Sequence, residues 1–183
     1  MLDVLPEEQP YRRHVEAAAA EAARLFGFER ISTPTLEATG LFVRGVGEGT
    51  DLIDKEMYSF VTKGGDELTL RPEGTAPAMR AYLEHGMQSR SMPVRLHYVV
   101  SIYRHDRPGA GRYREHTQFG AECIGVADPA ADAEVIGLAW SFLRRCGLHD
   151  IELQLSSIGD EVCRPGYIKA LTTYYEGVID QAC

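Results

Sequence analysis

Four arginines, Arg104, Arg107, Arg112 and Arg114, fall within eleven residues of an otherwise acidic chain. They lie in the stretch Ser101 to Gly125, SIYRHDRPGAGRYREHTQFGAECIG, which reads as strand, basic loop and strand. A guanidinium binds phosphate oxygens through a planar fork of N–H donors, which lysine cannot reproduce. Pro108, Gly109 and Gly111 supply the turn. Side chains alternate along a strand, so the returning segment sets Arg114, His116, Gln118, Gly120 and Glu122 on one face. That face combines cation, imidazole, amide and carboxylate around a position with no side chain. Glycine weakens a strand unless something approaches it closely. The pattern points to a phosphate-facing loop leading into a strand that floors a small polar pocket. A solvated outer face would also be polar, and the arginines could instead be bridged to nearby carboxylates.

A second group stands in LRPEGTAPAMRAYLEHG. Pro72 breaks a strand there, Thr75 is placed to cap a helix, Pro77 falls in the first turn and Gly86 follows the end. Arg71, Glu73 and Thr75 therefore cluster where a strand ends and a helix starts, a place where sites are often built. The plainer reading of Glu73 is a carboxylate that favours the helix dipole.

The elements that must position these groups follow from periodicity. Glu7 to Phe26 is a helix with Tyr11, Val15, Ala18, Ala19, Ala22, Leu25 and Phe26 as its apolar stripe and Gly27 as its stop. Its small residues suit core packing or, more sharply, a subunit interface. Phe28 to Thr33 is a short strand ended by Pro34. Leu36 to Asp54 is rich in glycine and charge, and reads as a mobile loop over a site. Its spaced Gly45, Gly47 and Gly49 lack the strand-to-helix context of a dinucleotide fold. Lys55–Val61 and Glu67–Arg71 form a hairpin with Gly64 and Gly65 in its turn. Pro93 to Arg104 is a long strand with Leu96, Tyr98, Val100, Ile102 and Arg104 on one face.

Asp128 to Cys146 is a helix with Asp128 as N-cap, Pro129 at its first position and Gly147 at its end. Its core face is Val135, Leu138, Ala139, Phe142, Leu143 and Cys146. A strand over Asp150–Ser156 and a helix over about Pro165–Tyr175 complete the chain. Two adjacent hairpins predict an α+β domain, an antiparallel β-sheet flanked by helices.

The totals narrow the function. With 183 residues and 44% hydrophobic content the chain holds one soluble domain with a real core. A net charge of −8 excludes a generally basic surface for nucleic acid, which leaves the arginine loop as the local candidate. Cys123, Cys146, Cys163 and Cys183 show no CxxC spacing. With no leader peptide and no membrane-spanning run, they read as reduced thiols of a cytoplasmic protein without structural zinc.

Longer blocks carry a resemblance. GEGTDLIDKEMYSF, LTLRPEGTA, YRHDRPGAGRYRE and QFGAE, in that order and spacing, resemble the histidyl-tRNA synthetases, a class II aminoacyl-tRNA synthetase family. The likeness runs from DVLP at Asp3 to LSSIG at Leu155 and the terminal helix. It implies a class II catalytic-domain fold with motif 1 over about 10–35, at a homodimer interface, and motif 2 over about 96–125. It implies ATP-dependent activation of L-histidine to histidyl-adenylate, with magnesium as the counter-ion of ATP, then transfer to tRNA(His). By the same resemblance Arg104 is catalytic and binds the α-phosphate. Glu73, Gly74, Thr75 and Gln118 hold the histidine, the acid, hydroxyl and amide on its ammonium group, and Glu122 accepts from its imidazole. Asp106, Arg112, Tyr113 and His116 line the ATP and acceptor-end side with Arg104.

The chain also departs from the family. His116 and Thr117 stand where a phenylalanine that stacks on adenine is usual, and Ser156 stands where asparagine is common. Imidazole is planar and can stack. Motif 3, a second histidine-binding segment with its arginine, and an anticodon-binding domain have no counterpart among these residues. The expectation is a truncated catalytic domain, of slight activity alone. A non-catalytic paralogue, such as the regulatory subunit of ATP phosphoribosyltransferase, is the alternative, though the intact RPEGT, RHDRP and RYRE blocks weigh against it. A folding or dimerisation module without a ligand is the blandest reading.

Overall fold

The longest ladder in the structure pairs β5 (Val94–Tyr103) with β6 (Glu115–Ile124), antiparallel, from Val94 opposite Ile124 to Tyr103 opposite Glu115. The computed structural model describes residues 3–46, 56–107, 109–157 and 159–179. They fall into two units, residues 1–149 and residues 150–183.

In the first unit β5 is apolar and buried on one face, while Arg95, His97, Val99, Ser101 and Tyr103 alternate on the other, where only His97 is buried. Leu96, Tyr98, Val100 and Ile102 are buried on one face. There α3 (Thr75–Glu84) packs Ala78 against Tyr98, Val100 and Ile102, and Tyr82 against Val94 and Leu96. The opposite face meets α1 (Gln9–Leu25) and α4 (Pro129–Arg145), where Ala23, Phe28 and Leu138 pack with Phe119, Ala121 and Cys123. β1 (Glu29–Arg30) joins β5 in parallel, giving a sheet ordered β1-β5-β6. A second sheet, antiparallel throughout, orders β2 (Leu36–Ala38), β4 (Glu67–Leu70) and β3 (Tyr58–Val61) as β2-β4-β3. The buried Thr69 hydroxyl bonds Thr39 at 2.8 Å and Ser59 at 2.7 Å, tying the three segments together.

The α+β architecture and the hairpin stand as the sequence predicts. α4 also starts as expected, with the Asp128 carboxylate accepting from the Ala130 N–H at 2.8 Å. Other details differ. Ala18, Ala19 and Ala22 are buried within the chain itself, so their small size serves core packing, whereas Tyr11, Val15 and Leu25 are exposed. Ala139 is exposed rather than core-facing. The segment expected to be a mobile loop forms β2 and then α2 (Thr39–Val46), because Phe42 reaches the core and is fully buried. The remainder of that loop, residues 47–54, lies outside the described residues, as does Lys55 at the start of the expected hairpin. In the second unit α5 (Arg164–Val178) forms, but residues 151–157 make no strand. Alternation of Ile151, Leu153 and Leu155 marks a face, yet a strand exists only where a neighbour completes its hydrogen bonds.

His97 lies on the α1 side of β5, 5% exposed, with no partner for Nδ1 among the described residues. Burial, and secondarily Arg30, pushes its pKa below the ordinary 6.5. Between the lowered value and 6.5 the unfolded chain binds a proton that the folded chain does not. Stability at His97 is therefore complete above pH 6.5 and falls as acidification passes through that window. Urea midpoints measured from about pH 7.5 to about pH 5.5 should decline less steeply in His97→Phe than in the parent chain. Equal slopes would contradict the assignment.

Candidate active site

Pro72 ends β4, and the next three residues turn the chain into α3. The Glu73 carboxylate accepts from the N–H groups of Thr75 at 2.5 Å and Ala76 at 2.8 Å. Glu73 is thus the side chain that caps this helix, and Thr75, expected as the cap, is its first helical residue. An acceptor at that position satisfies donors that have no intrahelical partner. A carboxylate has about four lone-pair sites, so both Glu73 oxygens retain room for a second donor.

Gly74 carries the join from helix to sheet. Its N–H donates to Gln118 Oε1 on β6 at 3.0 Å. One further lone pair on that oxygen remains for a ligand. Arg104 follows the last residue of β5 and donates from Nε to the Pro72 carbonyl at 2.8 Å, and from its backbone N–H to the Arg114 carbonyl at 2.9 Å. Its guanidinium is half-buried beside residue 73 and meets no carboxylate among the described residues.

Tyr98 is the floor of this region. Its ring lies between Gly74 and Gly120, and a Cβ on either glycine would overlap it. The close approach that Gly120 allows is therefore that of Tyr98. The Tyr98 hydroxyl donates to Glu122 Oε1 at 2.9 Å and stands 3.4 Å from Thr75 Oγ1. Burial raises the phenol pKa well above its ordinary value, which keeps the hydroxyl a neutral donor. A cleft of about 560 Å³ opens beside Glu73 and Thr75, with Leu41, Met79 and Arg80 on its walls.

The basic loop makes a separate cluster. Asp106 pairs with Arg112, accepts from the Arg107 N–H at 2.8 Å, and offers its carbonyl to Arg114 Nε at 3.4 Å. Gly111, at φ +73°, lets the chain reverse between Gly109 and Arg112. Tyr113 is exposed, and its carbonyl lies 3.3 Å from Nδ1 of the exposed His116. Pro108 lies outside the described residues.

Glu73, Gly74, Thr75, Gln118 and Glu122 are thus brought together through Tyr98 and the start of α3, and Arg104 joins them through Pro72. Asp106, Arg112, Tyr113 and His116 stand apart in the loop and at its return. The bridging of arginine to carboxylate holds for Arg112, and among the described residues it does not hold for Arg104. Arg71, which the sequence groups with Glu73, turns the other way. It is buried and donates to the carbonyls of Ser101, Thr33 and Pro34. Tyr98 is the residue that reading the sequence as an apolar row misses. A buried tyrosine hydroxyl needs a partner, and glycines at two places in the polar segments were the available signal.

Known proteins resemble this chain in sequence and fold. The profile of the family described as histidyl-tRNA synthetase matches residues 1–162. A histidine–tRNA ligase of Dehalococcoides mccartyi is 58% identical over 181 residues, 99% of this chain and 43% of that protein. The apo histidyl-tRNA synthetase of S. aureus superposes with a TM-score of 0.76 at 35% identity, over 100% of this chain and 43% of that one. A Bacillus halodurans protein titled as an ATP phosphoribosyltransferase regulatory subunit/histidyl-tRNA synthetase gives a TM-score of 0.70 at 33% identity, over 82% of this chain and 37% of its own. The chain spans less than half the length of these relatives.

Proposed function

The chain belongs to the histidyl-tRNA synthetase family, and from that premise we propose that it supplies the motif 2 side of a histidine–tRNA ligase active site. The α+β fold is of the class II catalytic type. In this reading L-histidine and ATP form histidyl-adenylate and pyrophosphate, and a ribose hydroxyl of tRNA(His) then takes the histidyl group and releases AMP. ATP enters as its magnesium complex. The observation that carries the reading is the convergence of Glu73, Thr75, Gln118 and Glu122 beside a guanidinium, Arg104, that no carboxylate neutralises among the described residues.

Each side chain has a task. Glu73, Thr75 and Gln118 present acceptors to the ammonium group of histidine, and Gly74 sets the distance from helix to strand. Glu122 holds one oxygen on Tyr98 and offers the other to an imidazole N–H. An analogue without that N–H leaves a site carboxylate unpaired, which supports discrimination of about 10⁴. As the histidine carboxylate attacks the α-phosphorus, negative charge grows on the phosphoryl oxygens. In this reading Arg104 meets it, and a preorganised donor at such a point lowers the barrier electrostatically. Asp106, Arg112, Tyr113 and His116 serve ATP and the acceptor end from the loop. The protein acts in the cytoplasm as a homodimer, with α1 and its exposed Tyr11, Val15 and Leu25 at the interface.

Amide spectra recorded while L-histidine is titrated into the isotopically labelled chain test the reading. Shifts should concentrate at residues 73–76 and 118–122, and glutamine should not reproduce them. A spectrum unmoved by histidine, or moved only elsewhere, would count against it.

A further inference from the structure

We infer that Tyr98 is a positioning residue that sets the imidazole selectivity of the site, by holding the Glu122 carboxylate and the start of α3 in one frame. The inference rests on the histidine-binding reading above and goes beyond it, because Tyr98 itself needs no contact with the substrate.

Three observations carry it. First, the Tyr98 ring is held by what its neighbours lack. Gly74 on the helix start and Gly120 on the facing strand each leave room that a Cβ would fill. These two positions belong to different elements, joined by the hydrogen bond from Gly74 to Gln118. The ring is therefore a spacer that fixes the gap between α3 and β6. Second, the hydroxyl reaches both sides of that gap. It donates to Glu122 Oε1 at 2.9 Å on β6 and stands 3.4 Å from Thr75 Oγ1 on α3. Third, Tyr98 sits in a row of otherwise aliphatic side chains, Leu96, Val100 and Ile102, and is only 4% exposed. Phenylalanine would fill the same volume, so packing alone does not explain a hydroxyl here.

The consequence concerns direction. A half-buried glutamate free to rotate can turn either oxygen to a ligand and can swing away from it. With Oε1 committed to Tyr98, the remaining oxygen has a defined heading. A ligand N–H that meets it is bound without the cost of ordering the side chain. A ligand lacking the N–H gains nothing by rotation of Glu122, because Oε1 stays engaged. Selectivity at the imidazole therefore depends on a bond made two strand positions from where the glutamate is rooted, since Tyr98 faces Gly120 and Leu96 faces Glu122.

The test is Tyr98→Phe, which keeps the ring and removes the donor. Dissociation constants for L-histidine and for β-(4-thiazolyl)alanine, whose ring keeps one nitrogen and has sulfur in place of the N–H, are measured by amide-shift titration of parent and variant. Removal of a hydrogen bond to a charged group should weaken histidine about ten-fold. The thiazole should be affected far less, so the ratio of the two constants narrows. A role in packing alone would weaken both ligands together and leave the ratio where it was. Thermal unfolding of the variant checks that the fold persists. Should it not persist, Glu122→Gln provides the second route. The amide carbonyl of that variant can keep the bond from Tyr98, but its NH₂ group stands as a donor in place of the free oxygen, and histidine should lose its advantage over the thiazole.

If the parent chain binds histidine and Tyr98→Phe leaves the ratio unchanged, this inference is overturned while the functional reading stands. If the parent chain binds neither ligand, both fall.

Discussion

Replacing Arg71 by methionine will lower the stability of the first unit by about 3 kcal/mol or more, read as a shift in urea midpoint. Arg71 is 6% exposed and has no carboxylate partner among the described residues. Its charge is met entirely by oxygen dipoles. Nε donates to Ser101 O at 2.7 Å, and Nη1 to Thr33 O at 2.8 Å and Pro34 O at 3.2 Å. Burial pushes its pKa down from the ordinary guanidinium value, so taking it out of water costs energy that these bonds must repay. Hydrogen bonds to a charged group contribute about 1.5–3 kcal/mol each. Three of them come to about 4.5 kcal/mol at the lower end, and the access that Thr33 and Pro34 keep to water brings the expected loss down toward about 3 kcal/mol. The backbone of Arg71 is tied as well, to Thr35 O and from Tyr103 N, both at 3.0 Å. These contacts clamp the segment after β1 to β5 and to the end of β4. Arg71→Lys should recover little, since a single ammonium cannot span carbonyls set on two segments. A midpoint unchanged in Arg71→Met would show that the carbonyls are satisfied without it.

The same clamp explains what was legible in the sequence and what was not. The start of α4 could be read because Asp128, Pro129 and the N–H that Asp128 caps lie within three residues. The polar face of β6 could be read because alternation is a property of a single strand. Resemblance then supplied roles for Glu73, Gln118 and Glu122 that no spacing in this chain dictates. Where two distant segments decide the outcome, the sequence alone misleads. Thr75 looks like a cap by residue type, yet it is the first helical residue, and the Glu73 side chain accepts from the N–H groups of Thr75 and Ala76. Gly120 looks like an opening for a ligand, but its emptiness is filled by Tyr98 from the facing strand. Arg71 and Arg104 look alike in composition. One is consumed by carbonyls brought from residues 33, 34 and 101, and the other keeps most of its donors. The helix α2 is hidden by glycines that would weaken it if exposed to water alone. The burial of Phe42 compensates for them.

Arg104→Ala will reduce histidine-dependent ATP–pyrophosphate exchange by about 10² to 10³. The assay uses a chimera in which this chain replaces the matching part of the Dehalococcoides mccartyi ligase, 43% of that protein. The loss should fall on kcat more than on the KM for histidine, because the charge that Arg104 meets develops as the α-phosphorus is attacked. The fold should hardly notice. The Arg104 side chain is half-buried and, among the described residues, gives one hydrogen bond, from Nε to Pro72 O at 2.8 Å, worth about 1 kcal/mol. That bond engages Nε, and neither outer nitrogen has a partner among the described residues, so the pair can make a bidentate contact with a phosphate. Arg104→Lys should lie between parent and alanine, since a lysine supplies the charge without the planar fork. Arg112→Ala serves as the comparison. Its guanidinium is exposed and already paired with Asp106, so the field it can lend to a phosphate is partly neutralised, and its loss should cost less than that of Arg104. A chimera carrying Arg104→Ala that exchanges pyrophosphate at the parent rate would remove Arg104 from the phosphate and leave it a strap on the Pro72 carbonyl. The order Arg104 above Arg112 follows from which of the two cations meets no carboxylate among the described residues.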